Sequence, residues 1–223
     1  MKNGSSLDAV YQSLFSAFGP RHWWPADSAE EVVIGAILAQ NVAWANANKA
    51  IHQLQQNNLM SLAAIHDTDT QTLAPLIRSS RFYHQKAERL KNFTSFLFDQ
   101  FGGDLAAMFD LELVPLRKRL LALKGFGDET VDSILLYAAE KPIFVIDAYT
   151  RRIFSRLGMT SAEWPYRQYQ DFFMERLTHD VALFNDYHAQ IVHLGNQVCK
   201  KKLPLCAKCP LANTCDGKME RLP

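Results

Sequence analysis

An all-α fold is predicted for this 223-residue chain. Nearly every segment repeats its apolar residues with a period close to 3.6, and β-branched runs long enough for strands are scarce. Only Ile143 to Ile146 reads as strand-like, and it is short. With 48% hydrophobic and 21% charged residues, the chain can bury one large core or two small ones. The first helix is expected from Leu7 to Phe18, closed by Gly19-Pro20. Ser28 with Glu31 three residues later is a capping-box signature ahead of the apolar stretch Val32 to Leu38, so a second helix starts there. Further helices are expected at Trp44 to Gln55, Thr70 to Ile77, Tyr83 to Phe101, Val114 to Leu121, Thr130 to Ala139, Ala148 to Leu157, Tyr166 to Thr178 and Val181 to Val198. The breakers Gly102-Gly103, Gly125, Gly127, Pro142, Gly158 and Pro165 fall between them. Neither an internal repeat nor a low-complexity linker interrupts the series.

A formal net charge of +1 excludes a bulk polycation, so binding to nucleic acid has to rely on a local patch. Lys200, Lys201, Lys202 and Lys208, with Lys218 and Arg221 just beyond, form one candidate; a merely solvated tail is the alternative. The same segment holds all four cysteines, Cys199, Cys206, Cys209 and Cys215, spaced C-x6-C-x2-C-x5-C. Thiols gathered in this way serve a metal centre or disulfides. No apolar h-region follows Met1 and no run reaches 18 apolar residues, so neither secretion nor membrane insertion is expected. In a reducing cytosol a cysteine cluster binds metal. Zinc ribbons show two close C-x2-C pairs where this chain has one, which favours an iron–sulfur cluster and leaves zinc as the alternative.

The segment Leu116 to Ala139 reads as helix, then Leu123-Lys124-Gly125-Phe126-Gly127, then helix. Glycine permits positive φ and leaves main-chain N–H groups uncovered. A helix that starts directly after such a turn offers free amides and a positive dipole end to a phosphate. Many helical hairpins also close on glycine for steric reasons alone.

LKGFGDET followed by VIDAYTRR, together with the cysteine spacing, resembles the helix-hairpin-helix DNA glycosylases of the endonuclease III type. The resemblance begins at Ile37-Leu38-Ala39-Gln40-Asn41, continues through Phe82-Tyr83-His84-Gln85-Lys86-Ala87 and ends with the cysteines. It implies a six-helix barrel domain over residues 27–141, with the hairpin at 116–139, and a second helical domain of residues 1–26 plus 142–223 that carries a [4Fe–4S] cluster loop at 199–215. It also implies a cytoplasmic, nucleoid-associated monomer that acts on double-stranded DNA, flips a damaged nucleotide and cuts its N-glycosidic bond. Asp147 falls at the family's catalytic aspartate. A carboxylate there stabilises an oxocarbenium-like sugar and orients the attacking water, and a plain helix N-cap is the other reading. Gln40 and Asn41 fall at the residues that fill the hole left by the extruded nucleotide. Lys124, Gly125, Phe126, Gly127 and Thr130 belong to the DNA-binding hairpin, with Lys200, Lys201 and Lys202 on the cluster loop.

Departures from the family pattern set the expected chemistry. Bifunctional members carry a lysine two residues after the second hairpin glycine, which forms a Schiff base with the sugar. Here that residue is Glu129, so base release without strand cleavage is expected. Gly35 stands in the place of the second carboxylate of adenine-mismatch glycosylases, which argues against adenine excision. Trp23, Trp24, Pro25 and Trp44 look like pocket residues of 3-methyladenine glycosylases, whose hairpins can carry glutamate as at Glu129. Indole faces favour a cationic alkylpurine, although tryptophans serve equally well in core packing. A mismatched thymine or uracil, an oxidised pyrimidine, or DNA binding without catalysis are the competing expectations. Arg81 replaces a glycine common among relatives, with no consequence readable from sequence.

Overall fold

The computed structural model describes residues 6–21 and 23–217. Among these the chain is helical and contains no strand. The α-helices run α1 Leu7–Phe18, α2 Ala29–Leu38, α3 Trp44–Gln56, α4 Leu62–Asp67, α5 Thr70–Leu76, α6 Tyr83–Phe101, α7 Leu105–Phe109, α8 Leu113–Leu121, α9 Asp128–Tyr137, α10 Ala148–Arg156, α11 Tyr166–Met174 and α12 Val181–Gln197. Two short helices, α4 and α7, had no counterpart in the periodicity, because five or six residues are too few to show one. Both are nucleated by side-chain caps, Ser61 on Ala64 N and Asp104 on Ala107 N.

The chain divides into two compact units. One spans Ala26–Lys141; the other joins the segment ending at Pro25 to the segment beginning at Pro142. In the first, α2 is buried on nearly every side from Val32 to Leu38 and packs against α3, α6 and α9, as a helix apolar all round must. Its expected cap forms: Ser28 Oγ accepts from Glu31 N at 3.2 Å, while Glu31 reaches back to Asp27 N at 3.1 Å.

In the second unit α12 packs against α1 and α10. The core there is aromatic. Phe144 stacks on Phe173 with centroids 4.2 Å apart and meets Phe184 and Tyr187 edge-on. The apolar run Ile143 to Ile146 is therefore no strand. It is a buried segment without regular structure in which side chains take two of the main-chain groups: Gln170 donates to Phe144 O at 2.8 Å and the Tyr166 hydroxyl accepts from Ile146 N at 3.2 Å. Buried main-chain groups need partners, and here a sheet does not supply them.

Candidate functional site

Asp147 ends the buried segment and opens α10. Its Oδ1 accepts from Thr150 N at 2.7 Å and from Thr150 Oγ1 at 2.8 Å, so the N-cap reading is realised. Its Oδ2 lies 3.7 Å from His188 Nε2 on α12. The side chain keeps 12% of its surface exposed. Burial alone would raise this carboxyl's pKa, but His188 and the two Thr150 donors outweigh it and hold the group below the usual carboxylate range. The result is a carboxylate that stays ionised inside an apolar unit.

The far end of α10 organises the cysteine loop. Arg152 donates to Cys199 O and Gly195 O, each at 2.9 Å. Arg156 donates to Lys200 O at 2.9 Å, to Lys201 O at 3.2 Å and to the sulfur of Cys199 at 3.2 Å. None of the four cysteines is in a disulfide, and with Arg156 they line one cavity. Burial pushes the Cys209 thiol up. Among the described residues no group of three or more His, Cys, Asp or Glu side chains could hold a single metal ion. Arg156 pins the main chain of Lys200 and Lys201; Lys200, Lys201, Lys202 and Lys208 are exposed, and Lys218 and Arg221 lie outside the described residues.

In the other unit the hairpin joins α8 to α9. Gly125 has φ +90°, and a Cβ there would stand 2.5 Å from Arg89 Nε, so both conformation and space require glycine. Gly127 differs. Its φ is −103° and nothing lies within 4 Å of where a Cβ would be, so it keeps open the space in front of the first amides of α9. Phe126, expected on the DNA face, turns its ring inward against Phe93 and is 6% exposed. What it can offer a phosphate is main chain alone. Thr130 is likewise buried; its hydroxyl accepts from Gln40 Nε2 at 2.8 Å. Gln40 also donates to Gly125 O at 3.3 Å and accepts from Arg89, tying the residue before Asn41 to the hairpin. Lys124 and Glu129 are exposed.

The hairpin is braced by charge. Arg117 on α8 donates to Asp132 at 2.7 Å and to Asp128 at 2.7 Å, and the Asp132 side chain is fully buried. Burial opposes the Arg117 charge, yet the two carboxylates hold its pKa well above the ordinary arginine value. The acid pair at the start of α9 is thereby partly neutralised.

The sequence matches the family described as HhH-GPD superfamily base excision DNA repair protein over residues 34–179. A Methanocaldococcus jannaschii protein classed as a candidate DNA repair glycosylase is 41% identical over 94% of this chain and 95% of its own. The chain belongs to the HhH-GPD superfamily. It is thus a DNA glycosylase of base excision repair. Among solved structures, the H. pylori 3-methyladenine DNA glycosylase bound to 1,N6-ethenoadenine is 26% identical with a TM-score of 0.77, covering 86% of this chain and 98% of that one. A non-covalent endonuclease III–DNA complex has a TM-score of 0.85 at 21% identity, covering 99% of both, and shows the shared fold.

Within this HhH-GPD glycosylase the expected pocket residues are distributed over both units. Trp23 and Trp24 are half-buried with ring centroids 5.5 Å apart, beside exposed Pro25. Trp44 opens α3 and Glu129 lies in the first turn of α9. Sequence reasoning missed His188, Arg89, Arg117 and the role of Lys86. Lys86 sits inside a matched motif, but only the fold shows its Nζ, fully buried, donating to Leu38 O at 2.8 Å and Ser80 O at 2.5 Å. It thereby ties the end of α2 to a turn where two residues take positive φ, Arg81 (56°) and Phe82 (45°). Phe82 is 57% exposed, an aromatic displayed on strained backbone. The glycine of relatives at Arg81 now has a reason: φ 56° with ψ 161° suits a residue without Cβ. No described helix is long and apolar enough to cross a membrane.

Proposed function

We propose that this chain is a monofunctional glycosylase that hydrolyses the N-glycosidic bond of a flipped, alkylated purine such as 3-methyladenine or 7-methylguanine. It acts as a monomer on double-stranded DNA and leaves an abasic site. The observation that carries the reaction type is Glu129, an exposed carboxylate where a lyase needs an amine. A carboxylate forms no imine. Lys86, whose amine is lowered to about 8, is spent on two buried carbonyls and does not substitute for one.

Asp147 supplies the anion. As the C1′–N bond breaks, its electron pair leaves with the base, and a cationic alkylpurine departs as a neutral molecule. The ionised carboxylate stabilises the positive sugar. Water then adds at C1′ and gives up its proton to the carboxylate or to solvent. The half-buried faces of Trp23 and Trp24 support a cationic base, each by roughly 0.5–2 kcal/mol, and the likeness to a 3-methyladenine glycosylase points the same way. Duplex binding falls to the open amides at Gly127, to Asn41 and Phe82 on their turns, and to Lys200, Lys201 and Lys202.

Four cysteines outside any disulfide around one cavity fit the donor set of a [4Fe–4S] cluster, which Cys199, Cys206, Cys209 and Cys215 would hold, with Arg156 donating to the Cys199 sulfur. Bound there, the cluster would cross-link the loop that carries the lysines. Base hydrolysis transfers no electrons, so this role is structural. As-purified protein is expected to be brown, with broad absorbance near about 400 nm; colourless protein with stoichiometric zinc would replace the cluster by a single ion.

A panel of duplexes, each with one lesion, tests the substrate. Release of 3-methyladenine or 7-methylguanine is expected, and release of thymine, uracil or an oxidised pyrimidine in their stead would overturn the alkylpurine reading. Asp147→Asn keeps a good N-cap and is expected to retain DNA binding while losing base release. Borohydride is expected to trap no covalent adduct, and a strong trapped band would refute the hydrolytic assignment.

A further inference from the structure

The unit Ala26–Lys141 carries a second basic feature that neither the hairpin nor the cysteine loop accounts for. An open depression of about 430 Å³ lies where α3 meets α5 and the 3-10 turn Arg78–Ser80. It is lined by apolar Pro75 and Leu76 and by Lys49, His52, Gln53, Arg78 and Ser79, with no acidic side chain among these residues. Lys49 and Arg78 are exposed, and neither belongs to an ion pair among the described residues. Two permanent cations in one concavity without a counter-charge repel each other, and an anion relieves that. The imidazole of His52 is already engaged by Asn48 (3.2 Å) and Gln55 (3.0 Å), which leaves Lys49 and Arg78 as the charged groups that reach an occupant.

The place of the depression says which anion. Ser79 Oγ donates to Asn46 O at 3.0 Å and fixes the 3-10 turn to the first turn of α3. The same turn runs on into exposed Arg81 and Phe82, and α3 begins three residues after exposed Asn41. Lys49 lies five residues beyond Trp44, about 7.5 Å along the helix at 1.5 Å per residue. A strand held at Asn41 and Phe82 would run on toward the helix and the 3-10 turn that carry the depression.

We propose that Lys49 and Arg78 form a further phosphate clamp, which takes a backbone phosphodiester of the bound duplex beside the Asn41 and Phe82 turns. The inference rests on the DNA-binding reading of this unit and adds a contact to it. Ser79, locked by its bond to Asn46, sets the position of Arg78 and is a positioning residue.

Salt dependence provides the test. Each phosphate neutralised contributes about 0.9 to the slope of log K against log salt, so Lys49→Gln with Arg78→Gln, which releases the one clamped phosphodiester, is expected to lower the slope magnitude by about 0.9, and each single variant by less. Helical circular dichroism and urea midpoint confirm that the variants fold. Lys200→Gln with Lys201→Gln serves as the reference pair. If that pair lowers the slope and the Lys49/Arg78 pair leaves it unchanged, DNA binding stands and the clamp is refuted. If the wild type shows no salt-dependent duplex binding, the DNA-binding reading itself fails. Inorganic phosphate, followed through the ring signals of His52, separates the sources: perturbation by phosphate with an unchanged duplex slope would make the depression a small-anion site and overturn its assignment to DNA.

Discussion

Replacing Lys86 by methionine gives a quantitative handle on the Arg81–Phe82 turn. Lys86 is fully buried, and its amine is lowered from an ordinary 10.5 to about 8, first by burial and then by the like charge of Arg89. Below pH 8 the folded and unfolded chains both carry the proton, and the native state bears the whole cost of a buried charge. Between 8 and 10.5 the unfolded chain holds a proton that the native state lacks, so stability rises with pH. At about 1.36 kcal/mol per pH unit, the full gain is about 3 kcal/mol. The native hydrogen bonds survive the titration, because a neutral amine still has two N–H groups for Leu38 O and Ser80 O. Above pH 10 the half-buried Tyr11 works the other way. Tyr11 is pushed up to about 12, by burial and by Asp186, so it stays protonated in the native state while its unfolded counterpart ionises. The informative quantity is therefore the difference between wild type and Lys86→Met in urea unfolding, read by circular dichroism at successive pH values. That difference is expected to shift in favour of the wild type by about 2–3 kcal/mol between pH 8 and 10. Parallel stability curves would show that the amine titrates as a solvated lysine and that the clamp on the Arg81–Phe82 turn is not buried in solution.

Three further outcomes follow from individual positions. Gly125→Ala is expected to destabilise by at least about 1 kcal/mol and to displace Arg89 from Gln40, whereas Gly127→Ala is expected to leave stability within about 0.5 kcal/mol and to weaken duplex affinity; equal effects on binding and stability would contradict the distinction between them. Arg81→Gly is expected to stabilise by about 1 kcal/mol, the strain of a left-handed non-glycine residue less the entropy cost of glycine, and a lowered urea midpoint would count against strain there. Asp147 contributes stability above its unfolded pKa that is lost as pH falls through its lower folded value. His188→Phe removes a partner that favours the ionised form, so the acid limb of base release is expected to move to higher pH; an unmoved limb would separate His188 from the carboxylate.

Much of the fold was legible because it rests on local rules. The 3.6-residue period located ten helices with ends mostly within two residues, the Ser28–Glu31 box marked where α2 begins, and the glycine pair marked the hairpin. Resemblance across three motifs placed Asp147, Glu129 and the cysteines. What failed locally did so for identifiable reasons. Ile143 to Ile146 has the composition of a strand, but its partners are the side chains of Gln170 and Tyr166, more than 20 residues downstream in sequence or close to it. Phe126 lies between two hairpin glycines and still belongs to the core, because Phe93 on α6 receives its ring.

Taken alone, the amino-acid order determined the helical class, the cap at Asp147 and the thiol set, since periodicity, capping and ligand spacing act over a few residues, while the proposed catalytic role of Asp147 came from resemblance. Tertiary structure decided which of those groups are held and how: that Asp147 is kept ionised by His188 some forty residues away, that Lys86 turns its amine inward, that Arg156 fixes the lysine loop, and that Lys49 and Arg78 share one uncompensated concavity. Burial and charge pairing depend on groups far apart along the chain, and only folding brings them within the few ångströms over which such interactions act.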